Sequence, residues 1–212
     1  MKILSITSTT CKIQNTEIFS INPFDDANIK CEIGAIHYVL ALIVQKFCDD
    51  LKDLDVGEIS GESNVGEEEI EEIFNFLKDA DYILVDDDIN LHFDSKNIKF
   101  LLSKISEEFG IDIKNLDGKV LKFNENFNEL KKCENFDGAI IYEKNGDEFT
   151  GGRYFSMVAK IKNGDFCEIK TKNICIKRKF KLNENLKGTI GFLGVDEIKN
   201  YPFEVAKISV IG

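Results

Sequence analysis

Apolar and polar residues alternate at the start of the chain, take up helical spacing through its middle and return to alternation towards its end. Lys2 to Thr7 alternates as a strand does, and Glu17 to Ile21 offers a second short strand that Asn22-Pro23 stops. The run from Ile33 to about Leu51 is apolar on nearly every side, so it predicts a helix that other elements must cover. Asp55 to Gly66 is rich in turn-forming residues and reads as a loop. The helix after it has Ser63 or Asn64 as its cap, and Glu67, Glu68 and Glu69 favour the positive end of its dipole. Ile70, Ile73, Phe74 and Leu77 give that helix one apolar stripe, which ends at Asp79-Ala80-Asp81. Tyr82 to Val85 is a continuous apolar run closed by Asp86-Asp87-Asp88, the pattern of a buried parallel strand whose carboxyl end meets solvent. Asp94 or Ser95 then caps an amphipathic helix carrying Ile98, Leu101, Leu102, Ile105 and Phe109, and Gly110 stops it.

After Leu116 strands dominate. Lys119–Phe123, Gly138–Tyr142, Phe166–Lys170, Ile174–Lys177, Gly188–Leu193 and Phe203–Val210 read as strands, with one short helix near Phe127 to Cys133. Lys144-Asn145-Gly146-Asp147 and Lys162-Asn163-Gly164-Asp165 read as hairpin turns. The expected fold is α/β. It has an N-terminal βαβ-type layer over residues 1–116 and a strand-rich, antiparallel β part over residues 117–212 packed on it. No long flexible linker and no internal repeat interrupts it.

Composition narrows the classes. The chain has 212 residues, 43% of them hydrophobic and 31% charged, which supports a globular core. Its net charge of −11 argues against nonspecific nucleic-acid binding, because an acidic chain does not attract phosphates. The charge is uneven. Residues 49–88 hold sixteen acids against two lysines, and residues 156–182 hold eight bases against two acids. Solvated faces account for both blocks, and so does a basic C-terminal region that docks on an acidic partner. The six cysteines (Cys11, Cys31, Cys48, Cys133, Cys167 and Cys175) form no C-x-x-C pair. With Met1-Lys2 leading straight into a strand, no signal peptide is expected, and the cysteines read as free thiols in a reducing, cytoplasmic compartment. No stretch reaches the roughly twenty apolar residues of a membrane span.

Three segments are candidate ligand sites. The first is the Gly57–Gly66 stretch, where Ser60, Gly61, Ser63 and Asn64 precede a helix whose free amides suit an anion. Its spacing fits neither a dinucleotide fingerprint nor a P-loop, and Glu67 to Glu69 repel phosphate, so an ordinary capped loop explains it as well. The second is Asp86-Asp87-Asp88, placed where open α/β sheets hold ligands; one aspartate there suits a ribose hydroxyl or Mg²⁺, and a plain polar loop is the bland alternative. The third is Thr150-Gly151-Gly152-Arg153-Tyr154. Paired glycines let a ligand approach the backbone, and Arg153 suits a phosphate or carboxylate, whereas a hairpin turn with a surface arginine is the alternative. His37 and His92 sit in different contexts, and neither a catalytic triad nor a metal-ligand spacing can be read. No catalytic residue is assigned and no metal site is expected.

Two pairs of stretches together resemble an atypical peripheral subunit of bacterial respiratory complex I, the NADH-quinone oxidoreductase family. One pair is Gly57-Glu58-Ile59-Ser60-Gly61-Glu62-Ser63-Asn64-Val65-Gly66-Glu67-Glu68-Glu69-Ile70 with Ala80-Asp81-Tyr82-Ile83-Leu84-Val85. The other is Asn185-Leu186-Lys187-Gly188-Thr189-Ile190-Gly191-Phe192-Leu193 with Tyr201-Pro202-Phe203. That subunit stands in where the NADH-oxidising flavoprotein subunits are missing. The same segments also resemble the α/β and terminal β portions of the large iron–sulfur subunit of complex I. The resemblance implies a peripheral-arm subunit on the cytoplasmic side of the inner membrane that helps electrons enter the complex, with a bound FAD or FMN. The chain lacks the glycine-rich nucleotide loop and the cysteine cluster of the standard flavoprotein subunit, which disfavours NADH as donor and favours a flavodoxin or ferredoxin. The flavin contact expected under this resemblance is Thr150 to Tyr154, with Phe149, Tyr154 and Phe155 as its aromatic wall, and the stretch from Ser60 to Gly66 ranks second. The competing expectations are a cofactor-free structural adaptor of the same complex and a stand-alone enzyme using Asp86 to Asp88. In isolation a homodimer is possible.

Overall fold

A computed structural model describes residues 1–8 and 13–211. Cys11, one of the expected free thiols, lies outside the described residues. The chain divides into two units, Met1–Cys133 and Glu134–Gly212. The α/β class holds, with helices and two mixed sheets.

In the first unit, β1 (Lys2–Ile6), β2 (Glu17–Asn22), β3 (Ile29–Lys30), β4 (Tyr82–Val85), β5 (Asp112–Asn115) and β6 (Val120–Leu121) form one sheet. Its order is β3-β2-β1-β4-β5-β6. The first five strands are parallel, and β6 runs antiparallel along β5. The chain lays β2 and β3 outward from one side of β1, then returns to add β4 on the other, so the order reverses between β1 and β4.

The helices of this unit are α1 (Ile36–Gln45), α2 (Val56–Ser63), α3 (Glu67–Leu77), α4 (Asp88–Leu91) and α5 (Ser95–Phe109). Every residue of α1 from His37 to Val44 is buried, and α2, α3 and α5 pack against it. α3 buries Ile70, Ile73 and Leu77, as its stripe predicts. α5 ends at Gly110, whose φ of +64° is the left-handed conformation that closes a helix.

Two segments depart from their local pattern. Residues 56–63 form a helix and not a loop, because Asp55 accepts the Glu58 N–H at 3.0 Å, Asn64 closes the far end at φ +55°, and Ile59 is buried. The cap of α3 is accordingly not Ser63 or Asn64. Gly66 holds that place, and the Glu69 carboxylate reaches back to accept its N–H at 3.0 Å. Residues 127–133 form no helix. They are a strap without regular secondary structure, tied to α5: the Asn128 N–H donates to Asn97 Oδ1 at 2.9 Å, and the Lys131 N–H donates to Asp94 Oδ2 at 3.3 Å. Phe123, Phe127, Leu130 and Cys133 pack on the core of the first unit.

The second unit holds β7 (Ala139–Asn145), β8 (Phe149–Gly151), α6 (Arg153–Ala159), β9 (Phe166–Lys170), β10 (Cys175–Leu182), β11 (Ile190–Val195) and β12 (Phe203–Val210). The strands close into a barrel in the order β10-β8-β11-β7-β12-β9. It is mixed and not antiparallel as its alternation and turns predict, for β8 pairs β10 and β11 pairs β7 in parallel. The other four pairings are antiparallel. The turn at residues 144–147 makes no hairpin, because β11 lies between β7 and β8. The turn at residues 162–165 leads from α6 into β9. Closure leaves no unpaired sheet edge.

Phe155 of α6 is fully buried in the barrel core beside Phe149 and Phe180, with ring centroids 5.9 and 6.0 Å away. It lies over Gly151 and Gly191, where a Cβ would overlap its ring. Gly152 is equally constrained, since a Cβ there would overlap the Leu186 carbonyl. Replacing Gly191 by alanine therefore forces Phe155 out of its seat, at a cost of roughly 1–3 kcal/mol. Denaturant unfolding measures the loss, and Gly191→Ala combined with Phe155→Leu should recover part of it. An unchanged unfolding midpoint in the single variant would show that Phe155 is not held there.

Candidate functional site

The carboxyl edge of the parallel sheet is where its geometry favours a ligand, at the reversal between β1 and β4. Asp86 follows β4 directly, and Ser8 lies beyond the end of β1. The Ser8 N–H donates to Asp86 Oδ2 at 2.6 Å, and the Asp88 N–H donates to Asp86 Oδ1 at 3.2 Å. The Ser5 and Thr7 hydroxyls are buried and 3.0 Å apart next to this edge. Burial, followed by the nearby Asp88 carboxylate, raises the Asp86 carboxyl to about 7. A group poised there can take or give a proton at neutral pH.

The Ser60 to Asn64 residues lie on α2 and at its end, and the two serine hydroxyls are turned to nearby backbone carbonyls. Ser60 Oγ donates to the Val65 carbonyl at 2.7 Å, and Ser63 Oγ donates to the Ser60 carbonyl at 3.3 Å. Ser63 is buried. Gly61 is a helical residue with open space at its Cβ position.

Thr150 and Gly151 lie in β8, Gly152 caps α6, and Arg153 and Tyr154 open that helix. Thr150 is buried, whereas Arg153 and Tyr154 are exposed. Of the three aromatic residues of the expected flavin wall, Phe149 and Phe155 belong to the barrel core and Tyr154 alone faces solvent. The Ser60 to Asn64 and Thr150 to Tyr154 groups lie in different units.

The structure brings together residues that are far apart in sequence around His37. Its ring centroid is 5.3 Å from that of His92, and its Nε2 lies 2.8 Å from the Lys131 carbonyl and 4.0 Å from Asp94 Oδ2. His92 Nε2 is 2.9 Å from the Gly34 carbonyl, while Nδ1 accepts the Asp94 N–H at 3.0 Å. One ring nitrogen of His92 therefore faces an acceptor and the other a donor, which selects the neutral tautomer carrying its proton on Nε2. Burial, then the neighbouring His37, lowers the His92 pKa to about 3, and burial lowers that of His37. Cys133 Sγ donates to the Gly34 carbonyl at 3.6 Å. Burial pushes the Cys31 and Cys133 thiols up to about 12, so neither supplies a thiolate for a cysteine–histidine nucleophile. The cluster is a clamp on the 127–133 strap. Its pieces are i, i+2 and long-range contacts that carry no spacing rule, which is why local motifs miss it.

No protein-family model, curated protein or solved structure matches this chain. Among the described residues, no group of three or more histidine, cysteine, aspartate and glutamate side chains is arranged to hold a metal ion. None of their helices is long and apolar enough to cross a membrane.

Asp86 has an ordinary value of 3.8 and a folded value of about 7, so the folded chain binds its proton more tightly. Its contribution to stability is complete below pH 3.8 and is withdrawn as the pH rises to about 7. Carboxyl ¹³C NMR should find the Asp86 titration midpoint near 7, and a midpoint near 4 would mean a solvated carboxylate. His92 behaves oppositely: its ring ¹⁵N shifts should remain those of neutral imidazole at pH 5, and protonation by that pH would contradict the clamp.

Proposed function

We propose that the chain is a peripheral-arm subunit of a complex I-like NADH-quinone oxidoreductase, and that its part there is that of an adaptor docking through α6. The observation that carries the adaptor role is the outer face of this helix. Tyr154, Met157 and Val158 are 63, 67 and 44% exposed at i, i+3 and i+4 spacing, while Phe155 is buried in the barrel core. A helix of seven residues with apolar side chains on both faces is expected to bury the second face against something else. Exposed Arg153, Lys160 and Lys162 flank it, so the matching partner surface is acidic around an apolar centre. The choice of complex I rests on the resemblance of the segments around Gly57–Val85 and Asn185–Phe203.

The flavin reading, in which an FAD or FMN relays electrons from a flavodoxin or ferredoxin, has a different observation in its favour. The reversal between β1 and β4, with Asp86 and the Ser8 amide at its edge, is a better place for a cofactor than Thr150 to Tyr154, where two of three aromatic rings are committed to the core. It would make the subunit a redox carrier and not only a spacer.

Co-purification with the large iron–sulfur subunit and its peripheral-arm neighbours tests the proposal. Met157→Glu and Tyr154→Ala should each weaken the association by roughly tenfold or more, as expected for central apolar contacts. Full retention of binding in both variants would remove α6 as the docking face. A flavin absorbance band retained after incubation with FAD or FMN and desalting would shift the role to electron relay.

A further inference from the structure

The barrel holds two acidic side chains that no part of the above reading uses. Ile141 and Ala206 belong to the barrel core and Ile208 packs against it, so the two-residue period of β7 and β12 turns Glu143 and Glu204 onto the same inner face. Glu204 pairs with Ile141 across the antiparallel ladder, and the Glu143 N–H donates to the Pro202 carbonyl at 2.8 Å. The two glutamates are therefore diagonal neighbours, with Cβ atoms roughly 7 Å apart. Glu143 is 4% exposed and Glu204 is 8% exposed.

Their hydrogen bonding is incomplete. Asn173, in the connection between β9 and β10, donates its amide to Glu204 Oε1. Glu204 Oε2 and Glu143 Oε1 are buried with no hydrogen-bond partner. Among the described residues no lysine, arginine or histidine forms an ion pair with either carboxylate. A buried carboxylate left this way is costly, and two side by side are more so. Burial, then the Glu204 charge, raises the Glu143 carboxyl to about 7.

We propose that Glu143 and Glu204 bind one hydrated divalent cation of the magnesium class at this end of the barrel. The two unpartnered oxygens are its protein ligands, the two negative charges match its own, and water fills the remaining positions. Magnesium is commonly held by only one or two carboxylates and keeps several waters, so no third acidic ligand is needed. A bound ion would fasten β7 to β12 and neutralise the interior without a basic side chain. The proposal is independent of the adaptor role, because it concerns the barrel interior and not the outer face of α6.

The test is Mn²⁺ binding to the full chain at pH 7.5, followed by electron paramagnetic resonance and competed with Mg²⁺. One Mn²⁺ per chain is expected, displaced by Mg²⁺, and Glu143→Gln and Glu204→Gln should each weaken it by about tenfold or more. Glu197→Gln, at an exposed carboxylate paired with Lys199, should leave it unchanged. Paramagnetic broadening of the Glu143, Asn173 and Glu204 amide signals in the unmodified chain locates the ion even if a variant fails to fold. Broadening centred on Asp86 to Asp88, or binding unaffected by both glutamine variants, would overturn the proposal. So would the absence of Mn²⁺ binding, together with Glu143 titrating near 7 whether or not Mg²⁺ is present, because a shared proton would then supply the missing charge.

Discussion

A helix with no polar face has to be enclosed, and the first unit is organised around that requirement. From His37 to Val44 α1 has nothing to offer solvent. α2, α3 and α5 pack against it, and the 127–133 strap meets it through His37. This enclosure brings a cost, since α1 carries a histidine into a fully buried position. The Lys131 carbonyl meets part of that cost by accepting from its Nε2, while Nδ1 is buried with no hydrogen-bond partner, and the strap that supplies this carbonyl is held by Asp94 and Asn97 at the start of α5. Burial of one apolar helix thus fixes the course of a segment nearly a hundred residues away in sequence.

The barrel meets the same demand with different means. Its strands enclose a core that Phe155 of α6 enters beside Phe149 and Phe180, and glycine at 151 and 191 makes the room. Glycine in a strand gives up side-chain packing and conformational restraint, so such positions persist where something must approach the backbone closely. Here Phe155 approaches Gly151 and Gly191, and the Leu186 carbonyl approaches Gly152, so close packing within the barrel accounts for glycine at each of these positions. The same packing turns Tyr154 and Met157 outward, because residues one and two positions either side of a buried helical residue face away from it.

Elements with strong local periodicity were legible in the sequence: Tyr82–Val85, the stripe of α3, the span of α5 up to Gly110 and the strands at Phe166 and Phe203 all stand where their patterns place them. Illegible were the elements that tertiary contacts impose on poor local propensity. α2 contains two glycines and two serines and exists because Ile59 is buried and both ends are capped. α6 begins in a Gly-Gly-Arg sequence that reads as a turn, and its helix is fixed by the seat of Phe155. Strand pairing was the least legible feature, since alternation identifies a strand and an inner face but not a neighbour. The parallel pairs β8·β10 and β7·β11 join segments 24 to 45 residues apart, and no turn chemistry announces them. The site residues divide the same way. Asp86 could be placed at a strand's carboxyl end from the sequence, whereas the convergence of Glu143 with Glu204 depends on a register that only the closed barrel sets.

That contrast also separates the two acidic centres by what each lacks. Asp86 has both oxygens engaged by backbone amides, so its carboxylate is already stabilised in place, and its raised affinity for a proton reflects burial and the charge of Asp88. Amides of this kind hold the ionised form ready, which suits a group that exchanges a proton or anchors a hydroxyl of a passing ligand. Glu143 and Glu204 have no such support for their inner oxygens, and the one amide that reaches them is neutral. A neutral donor orients a carboxylate but cannot cancel the repulsion between two of them. Among the described residues no lysine, arginine or histidine forms an ion pair with either of them. The two centres therefore differ in kind: backbone amides engage both Asp86 oxygens, whereas one oxygen of each glutamate is buried with no hydrogen-bond partner.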